Sequence, residues 1–404
     1  MGKLKSVLVG CGRIATLHVA GYKDNPDAEL WGVLDTDASV AKKFASDHGI
    51  PKIYASFDEV LADTEVAAVE LLLPHHLHCE YTVKACQAKK HVSVQKPMAM
   101  NLAECDIMIK AAADNGVKLK VYENFVFYPP YQFAKKLLDD GEIGDPLGIR
   151  LKMNNAALGS KNIPSIGIMP KKPKPEGIDK TGWEIGTKSW VWRFNDSLSG
   201  GGPFIFDDGQ HKFSTILYLL GDVEKVIAWI DQTPVVPGVY NDAPAVVMWK
   251  HKNKKLYGTW DITNSEQMFI HSKYYTCDEQ VEITGQRGVI WVTRCTATLL
   301  PDVAPVLMYR DGKLTEFWDM KHDWGDSFAA STVDFIDAIK NDREPVLSGE
   351  RGKEVLKFSL AALDSAAKNK EVYLDEYEDK PVMKKRGIIG SIIANNMGRG
   401  KNKA

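Results

Sequence analysis

The sequence predicts an α/β chain in two parts. An N-terminal doubly wound parallel sheet comes first, and a second α/β domain carries a large, mostly antiparallel open sheet. Three observations predict it. Apolar strand-like runs alternate with helix-compatible stretches as far as about Asn124. A Gly10-x-Gly12-x-x-Ala15 turn follows the first of those runs. From about Gly148 the pattern switches to alternation, which marks strands buried on one face. At 404 residues the chain is too long for one ordinary core, and its 44% hydrophobic content supplies two.

The opening run Leu4–Val9 reads as a buried parallel strand. It breaks into Gly10, Cys11, Gly12, Arg13, Ile14 and Ala15, and a helix-compatible pattern follows at once. Gly10 permits the tight turn, Gly12 has no Cβ to block a pyrophosphate, and Ala15 lets helix and strand pack closely. The free N–H groups at the helix start then face phosphates. A second strand, Ala28–Leu34, ends at Asp35, roughly twenty residues beyond the glycines, where a carboxylate reaches ribose hydroxyls. That carboxylate repels a 2′-phosphate and favours NAD over NADP, while Arg13 offsets part of the repulsion.

The alternation continues through a helix at Ala38–His48 and a Ser56-capped helix. The apolar run Val66–Leu73 reads as a central strand that delivers Pro74-His75-His76-Leu77-His78 at its end. His91–Val94 delivers Gln95-Lys96-Pro97, and Lys118–Val121 leads to Tyr122-Glu123-Asn124. Ligands in open α/β sheets gather beyond the carboxyl ends of strands, so these loops point at the site. No carboxylate or cysteine completes a ligand set around His75, His76 and His78, so no metal is expected.

The second domain is expected over 125–378. Its strand-like runs are Leu147–Met153, Val223–Ile230, Ala245–Trp249, Leu256–Ile262, Met268–Tyr275, Gln280–Thr284, Val289–Val292 and Val306–Tyr309. One helix is expected over about Phe204–Leu220 and a later pair over Phe328–Lys340 and Gly349–Ala367. An insertion at 159–199 carries Lys171–Pro175 and then the aromatics Trp183, Trp190 and Trp192 beside Arg193. It reads as an arm over a substrate cleft or toward a neighbouring subunit. A basic tail occupies 379–404.

Chemistry gathers in Gly200-Gly201-Gly202, leading through Asp207 to His211. Asp207 and His211 stand four apart on a helix and share a face. A carboxylate that orients an imidazole, beside a lysine, moves a proton to or from an alcohol oxygen; a capping pair within a buried helix start fits the same spacing.

The chain resembles the glucose-fructose oxidoreductase and inositol dehydrogenase family (Gfo/Idh/MocA). The resemblance rests on the Gly10–Ala15 loop, Pro74 to His78, Lys90 to Pro97, Gly141-Glu142-Ile143-Gly144, and the Gly-rich Asp207-x-x-x-His211 segment. It implies a Rossmann domain over 1–124 joined to an α/β domain whose open sheet makes oligomer contacts. It implies that Lys96, Asp207 and His211 form the catalytic group, with reversible hydride transfer between NAD(P) and a secondary hydroxyl. Where the family has Glu-Lys-Pro, this chain has Gln95-Lys96-Pro97. Loss of that carboxylate makes Lys96 easier to deprotonate.

The expected function is therefore an NAD-dependent dehydrogenase of a sugar, glycoside or cyclic polyol, a glycoside 3-dehydrogenase being one form. An NAD-dependent glycosidase and a non-catalytic NAD-binding regulator are the alternatives. Cofactor contacts are expected from Gly10, Gly12, Arg13, Ile14, Asp35, Pro74, His75, His78, Gln95, Lys96 and Asn124. Substrate contacts are expected from Tyr128, Trp183, Trp192, Arg193, Asp207, His211 and Trp324. A formal charge of -2 gives no case for nucleic acid, and no run approaches a membrane span. Six scattered cysteines and the lack of an apolar leader point to the cytoplasm. A homo-oligomer (dimer, tetramer or hexamer) is expected.

Overall fold

The computed structural model describes residues 2–161, 180–186, 192–236 and 239–379. Residues 162–179, with Lys171–Pro175, residues 187–191, with Trp190, and the basic tail beyond Asp379 lie outside them. The chain divides into two compact units that are not single stretches. The first comprises residues up to Phe127, Ser197–Gly200 and Gly325–Leu356; the second comprises Tyr128–Asp196, Gly201–Trp324 and Lys357 onward.

The first unit holds a parallel sheet of β1 (Leu4–Val9), β2 (Ala28–Leu34), β3 (Lys52–Ile53), β4 (Ala68–Leu71), β5 (His91–Gln95) and β6 (Leu119–Tyr122). Their order is β3-β2-β1-β4-β5-β6, and every pairing is parallel. The chain direction across the sheet reverses at β1 and β4, and a ligand crevice belongs beyond their carboxyl ends. The helices follow local chemistry. The Asp37 carboxylate accepts from Ser39 N at 3.0 Å to start Ala38–His48, and Gly49 ends that helix in the left-handed region. Ser56 caps the next helix through the Glu59 amide.

The helix Asp326–Lys340 clusters with this unit, whereas the sequence division after Asn124 assigned it to the second domain. Three alternating residues at and beyond β6 tie it down. The Lys120 ammonium donates to the Ser331 carbonyl and Oγ. Tyr122 donates to Phe328 O at 2.7 Å, and the Asn124 amide donates to Ser327 Oγ at 2.7 Å. Residues two apart on a strand share a face, so this tether is periodic. Its partners lie some two hundred residues away, where no local pattern discloses them.

The second unit carries β7 (Pro146–Ala156), β8 (Val223–Ile230), β11 (Ala245–His251), β12 (Tyr257–Ser265), β13 (Cys277–Gly285), β14 (Gly288–Val292), β15 (Val306–Arg310), β16 (Lys313–Phe317) and β17 (Val372–Tyr373). A separate hairpin pairs β9 (Thr233–Val236) with β10 (Val239–Asn241). The nine-stranded sheet runs β16-β15-β14-β13-β7-β12-β11-β8-β17, and only β7 with β12 is parallel. One face is roofed by helices; Phe213 packs on Trp260 and on Phe358. On the sheet's strands, Trp229, Met248, Tyr257 and Tyr309 stay exposed.

Two expectations change here. Met268–Tyr275 is not a strand of the sheet but an irregular segment. Its backbone carbonyls serve the described arm: Gly182 N donates to Ser272 O at 2.9 Å and Trp183 N to Tyr274 O at 2.8 Å. The helix expected over Phe204–Leu220 is split into a π-helical turn, Pro203–Asp208, and an α-helix, Gly209–Leu220. The Asp242 carboxylate accepts from Phe204 N at 2.9 Å and Ile205 N at 2.8 Å, satisfying amides that a helix start leaves without partners.

Candidate active site

In the first unit the glycine loop leaves β1 at the ligand end of the sheet. Gly10 has φ +106°, and a Cβ added there would lie 2.3 Å from the Leu72 carbonyl oxygen. Only glycine fits that turn. Around Gly12 an added Cβ would meet nothing within 4 Å, which leaves a bare backbone facing open space. Ala15 then begins the short helix Ala15–His18. This cradle fits a pyrophosphate: a tight turn, an approachable backbone and a following helix start.

Asp35 does more than await a ribose. One carboxylate oxygen accepts from Cys11 N at 2.8 Å, the other from Asp37 N at 2.9 Å. Charge-assisted bonds of this kind contribute about 1.5–3 kcal/mol each, so Asp35 fixes the loop that would hold the cofactor. Burial, with the Asp35 charge added, pushes the Cys11 thiol up to about 12, so that loop cysteine stays protonated.

The strand ends behave alike. His75 Nδ1 lies 2.7 Å from the Ser199 carbonyl oxygen. His78 is buried with Nδ1 2.8 Å from Pro97 O and Nε2 2.9 Å from Leu73 O. It links the loop after β4 to the loop after β5. Burial lowers its pKa despite carbonyls that favour the cation. Both imidazoles serve backbone groups, and among the described residues no cluster of His, Cys, Asp and Glu could hold a metal. Pro74 precedes the short 3-10 turn His75–Leu77. Gln95 closes β5, its Oε1 accepts from Lys96 N at 2.9 Å, and its amide nitrogen lies 3.2 Å from His18 Nε2. Arg13 and Ile14 flank the cradle in sequence.

In the second unit, Asp207 and His211 are both largely buried, the first in the π turn and the second in the α-helix. The Asp207 carboxylate accepts from Arg193 Nε at 2.9 Å, and the Arg193 guanidinium also stacks 4.6 Å from the Trp192 ring. Thus Arg193, expected to meet substrate, holds a residue expected to be catalytic, and Trp192, expected to do the same, packs on that guanidinium. Next to His211, Lys212 donates to Asp208 at 2.7 Å and Glu279 at 2.5 Å. Burial pulls the Lys212 pKa down, but the two carboxylates outweigh it and the net direction is up; Lys212 is a permanent cation of the core.

Trp183 and Trp324 belong to one aromatic cluster. Trp183 meets Tyr274 edge-on at 5.1 Å and Trp324 at 6.2 Å, and Tyr274 and Tyr275 both pack on Trp324. Tyr128 is fully buried and donates its hydroxyl to His322 O at 3.0 Å. The sequence reading missed His18, Tyr22 and Glu70, which line up behind Gln95 in the first unit, and Asp242, which holds the π turn in the second. One signal was available, since Glu70 interrupts an otherwise apolar central strand.

A Rossmann sheet with this cradle, in one chain with a large mixed-sheet α/β unit, defines a dinucleotide-binding protein. Comparison with known proteins narrows the class. Residues 4–123 match the family model for the oxidoreductase family with NAD-binding Rossmann fold, and residues 131–291 match the GFO/IDH/MocA C-terminal domain. The chain belongs to the Gfo/Idh/MocA oxidoreductase family. It is 26% identical to the myo-inositol 2-dehydrogenase of Thermotoga maritima, over 91% of this chain and 98% of that protein. It is 29% identical to the D-apiose dehydrogenase of Paraburkholderia graminis, over 93% and 91%. Among solved structures, a levoglucosan dehydrogenase with NADH and levoglucosan aligns at a TM-score of 0.74 and 20% identity, covering 93% of this chain and all of that one. A probable dehydrogenase from Thermotoga maritima aligns at 0.69 and 25% identity, covering 92% and 99%. The chain is an NAD-binding oxidoreductase.

Proposed function

We propose that this oxidoreductase oxidises a secondary ring hydroxyl of a sugar, glycoside or cyclic polyol to the ketone. The observation that carries the reading is full-length similarity to dehydrogenases named for such molecules, combined with Lys96 at the carboxyl end of β5 beside a neutral Gln95. The cofactor would be held by the Gly10–Ile14 cradle, by Asp35, by Pro74 and His75, and by Gln95, Lys96 and Asn124; His78, expected among them, has no exposed surface and both ring nitrogens on carbonyls, and braces these loops instead. When bound, NAD supplies the hydride acceptor.

The chain's own residues handle the proton. Lys96 and His211 are the two groups that can take it from the hydroxyl oxygen, and Asp207, held by Arg193, orients His211. A positioned acid or base of this kind contributes about 10²–10⁴-fold. Trp183, Trp192 and Arg193 are the substrate-side candidates, and the aromatics suit the apolar face of a ring. We extend the proposal to a homo-oligomer built on the open sheet face, and to the cytoplasm, where six free cysteines persist.

The test is a panel of inositols, aldoses and glycosides with NAD, following NADH and identifying the oxidised carbon. Stoichiometric NADH with a ring ketone is expected. Cleavage of a glycoside without net NADH would move the chain to the transient-oxidation glycosidases, and no turnover on any member would overturn the reading.

A further inference from the structure

Behind Lys96 lies a chain of polar side chains whose members beyond Gln95 are buried and unused by the proposed chemistry. It begins at Tyr22, whose hydroxyl meets one Glu70 oxygen at 2.5 Å. The other Glu70 oxygen meets His18 Nδ1 at 2.5 Å. His18 Nε2 lies 3.2 Å from the Gln95 amide nitrogen, and Gln95 Oε1 meets the backbone N–H of Lys96 at 2.9 Å. Tyr22, Glu70 and His18 are buried, Glu70 and His18 with no exposed surface at all. The imidazole is clamped, its ring 3.8 Å from that of Tyr122 and 5.6 Å from that of Phe328.

The direction of every bond in this chain follows from one fixed end. A backbone N–H can only donate, so Gln95 must turn its carbonyl oxygen to Lys96 and its NH2 to His18. His18 Nε2 must then accept, which leaves the ring proton on Nδ1, facing Glu70. Glu70 accepts at both oxygens, from His18 and from Tyr22. This is the bonding an ionised carboxylate needs when it is taken out of water. Glutamate at position 95, the family residue, would break the order, because its carboxylate would demand a second ring proton from His18.

We propose that Glu70 is a positioning residue for Lys96: by taking the His18 proton on Nδ1 it leaves Nε2 to accept from the Gln95 NH2, and so steadies the neutral amide whose oxygen holds the Lys96 backbone N–H. The Glu70 carboxyl thereby stands three hydrogen bonds from the Lys96 backbone, in the central strand. The inference rests on Lys96 being a proton-transfer group as proposed above, but its first test does not.

That test is the tautomer of His18, read from the ¹⁵N shifts of histidine-labelled protein and assigned by the signals lost in His18→Asn. A single proton on Nδ1 is expected in the native chain, a doubly protonated ring in Gln95→Glu, and a proton on Nε2 alone in Glu70→Gln/Gln95→Glu, where the order of donors reverses. A native ring protonated at Nε2 overturns the proposal whatever the enzyme acts on.

The second test uses the substrate found by the panel. Glu70→Gln keeps an acceptor toward His18 and should hold kcat within about threefold; Glu70→Met removes the acceptor and should lower kcat about tenfold with NAD affinity unchanged, as a small misplacement of a reacting group does. A native kcat in Glu70→Met, or equal losses in both variants, refutes it. If Glu70→Met melts at assay temperature, the His18 tautomer in Glu70→Gln, expected native-like, decides.

Discussion

The two units present their candidate residues by different physics. In the first, a parallel sheet brings Gly10, Asp35, Pro74 and Lys96 just beyond the carboxyl ends of β1, β2, β4 and β5. Topology alone collects them, and backbone bonds then lock each in place. In the second, the broad sheet supplies a surface and no such convergence. Asp207 and His211 come from a π turn and the helix after it, and Arg193 reaches Asp207 from the arm. Points set by strand ends tolerate little variation. Points set by side chains on turns and arms can be redrawn, and substrate choice belongs with them.

The sharpest way to break this comparison is to remove one proton-handling group from each unit. Lys96→Ala and His211→Ala should each lower kcat by about 10²–10⁴; His211→Ala should leave NAD binding, measured by calorimetry, within about threefold of native, because the proposed cofactor contacts all belong to the first unit, whereas Lys96→Ala should weaken it as well. Native turnover in both removes the catalytic assignment. Loss in only one tells which unit supplies the base.

The units also carry buried bases that answer to different pH windows. In the second unit His251 accepts from Trp249 Nε1 at 2.9 Å and its Nδ1 meets Gly221 O at 3.0 Å; burial pulls its pKa down to about 4. In the first, burial pulls Lys120 down to about 8, against the attraction of Asp334 and Glu70. In both cases the unfolded chain binds the proton at higher pH than the folded one, so stability rises with pH across the window. For His251 the contribution is full above about pH 6.5 and is lost toward pH 4; for Lys120 the cost is full below about pH 8 and is relieved toward pH 10.4. Each amounts to about 3 kcal/mol at most. Hydrogen exchange read by peptide mass spectrometry should show the second unit loosening first as pH falls from 6.5 to 4, an effect abolished in His251→Asn. In Lys120→Met the gain between pH 8 and 10.4 should vanish from the first unit. Equal responses of both units would show that they unfold as one body.

Arg193→Ala tests the arm's part. It frees the Asp207 carboxylate from its guanidinium partner, and a fall in kcat of about tenfold is expected from misorientation. A rise in KM with kcat unchanged would instead make Arg193 a substrate contact, as the sequence alone suggested.

The same contrast explains what could be read in advance. Helix Ala38–His48 and strands Leu4–Val9 and Ala28–Leu34 match their sequence readings because caps, glycines and apolar runs are local. The cradle was legible for the same reason, since spacing along the chain is spacing in the turn. Met268–Tyr275 misled because its strand-like run pairs with the arm, a partner some ninety residues distant. The π turn depends on Asp242, and the placement of Asp326–Lys340 on Lys120 and Tyr122. Glu70 stood visible as a charge in an apolar strand, but its reason lies in His18 and Tyr22, which only folding brings to it.

Gln95→Glu tests the finest point of the comparison, the charge beside Lys96. An added carboxylate favours the ammonium form, so Lys96 would lose its proton at higher pH and the rising limb of the pH–rate profile would move up. Part of that effect is cancelled, because the same substitution draws a second proton onto His18 and the new cation opposes the new anion. An upward move of the limb is therefore expected, smaller than the double variant should give, measured as kcat against pH. Glu70→Gln/Gln95→Glu leaves His18 neutral and removes the cancellation, so its limb should lie higher still. If the single variant keeps the native profile while the double variant shifts, the cancellation is complete; if both keep it, Lys96 is not the group that titrates, and the base must be sought on the second unit at His211.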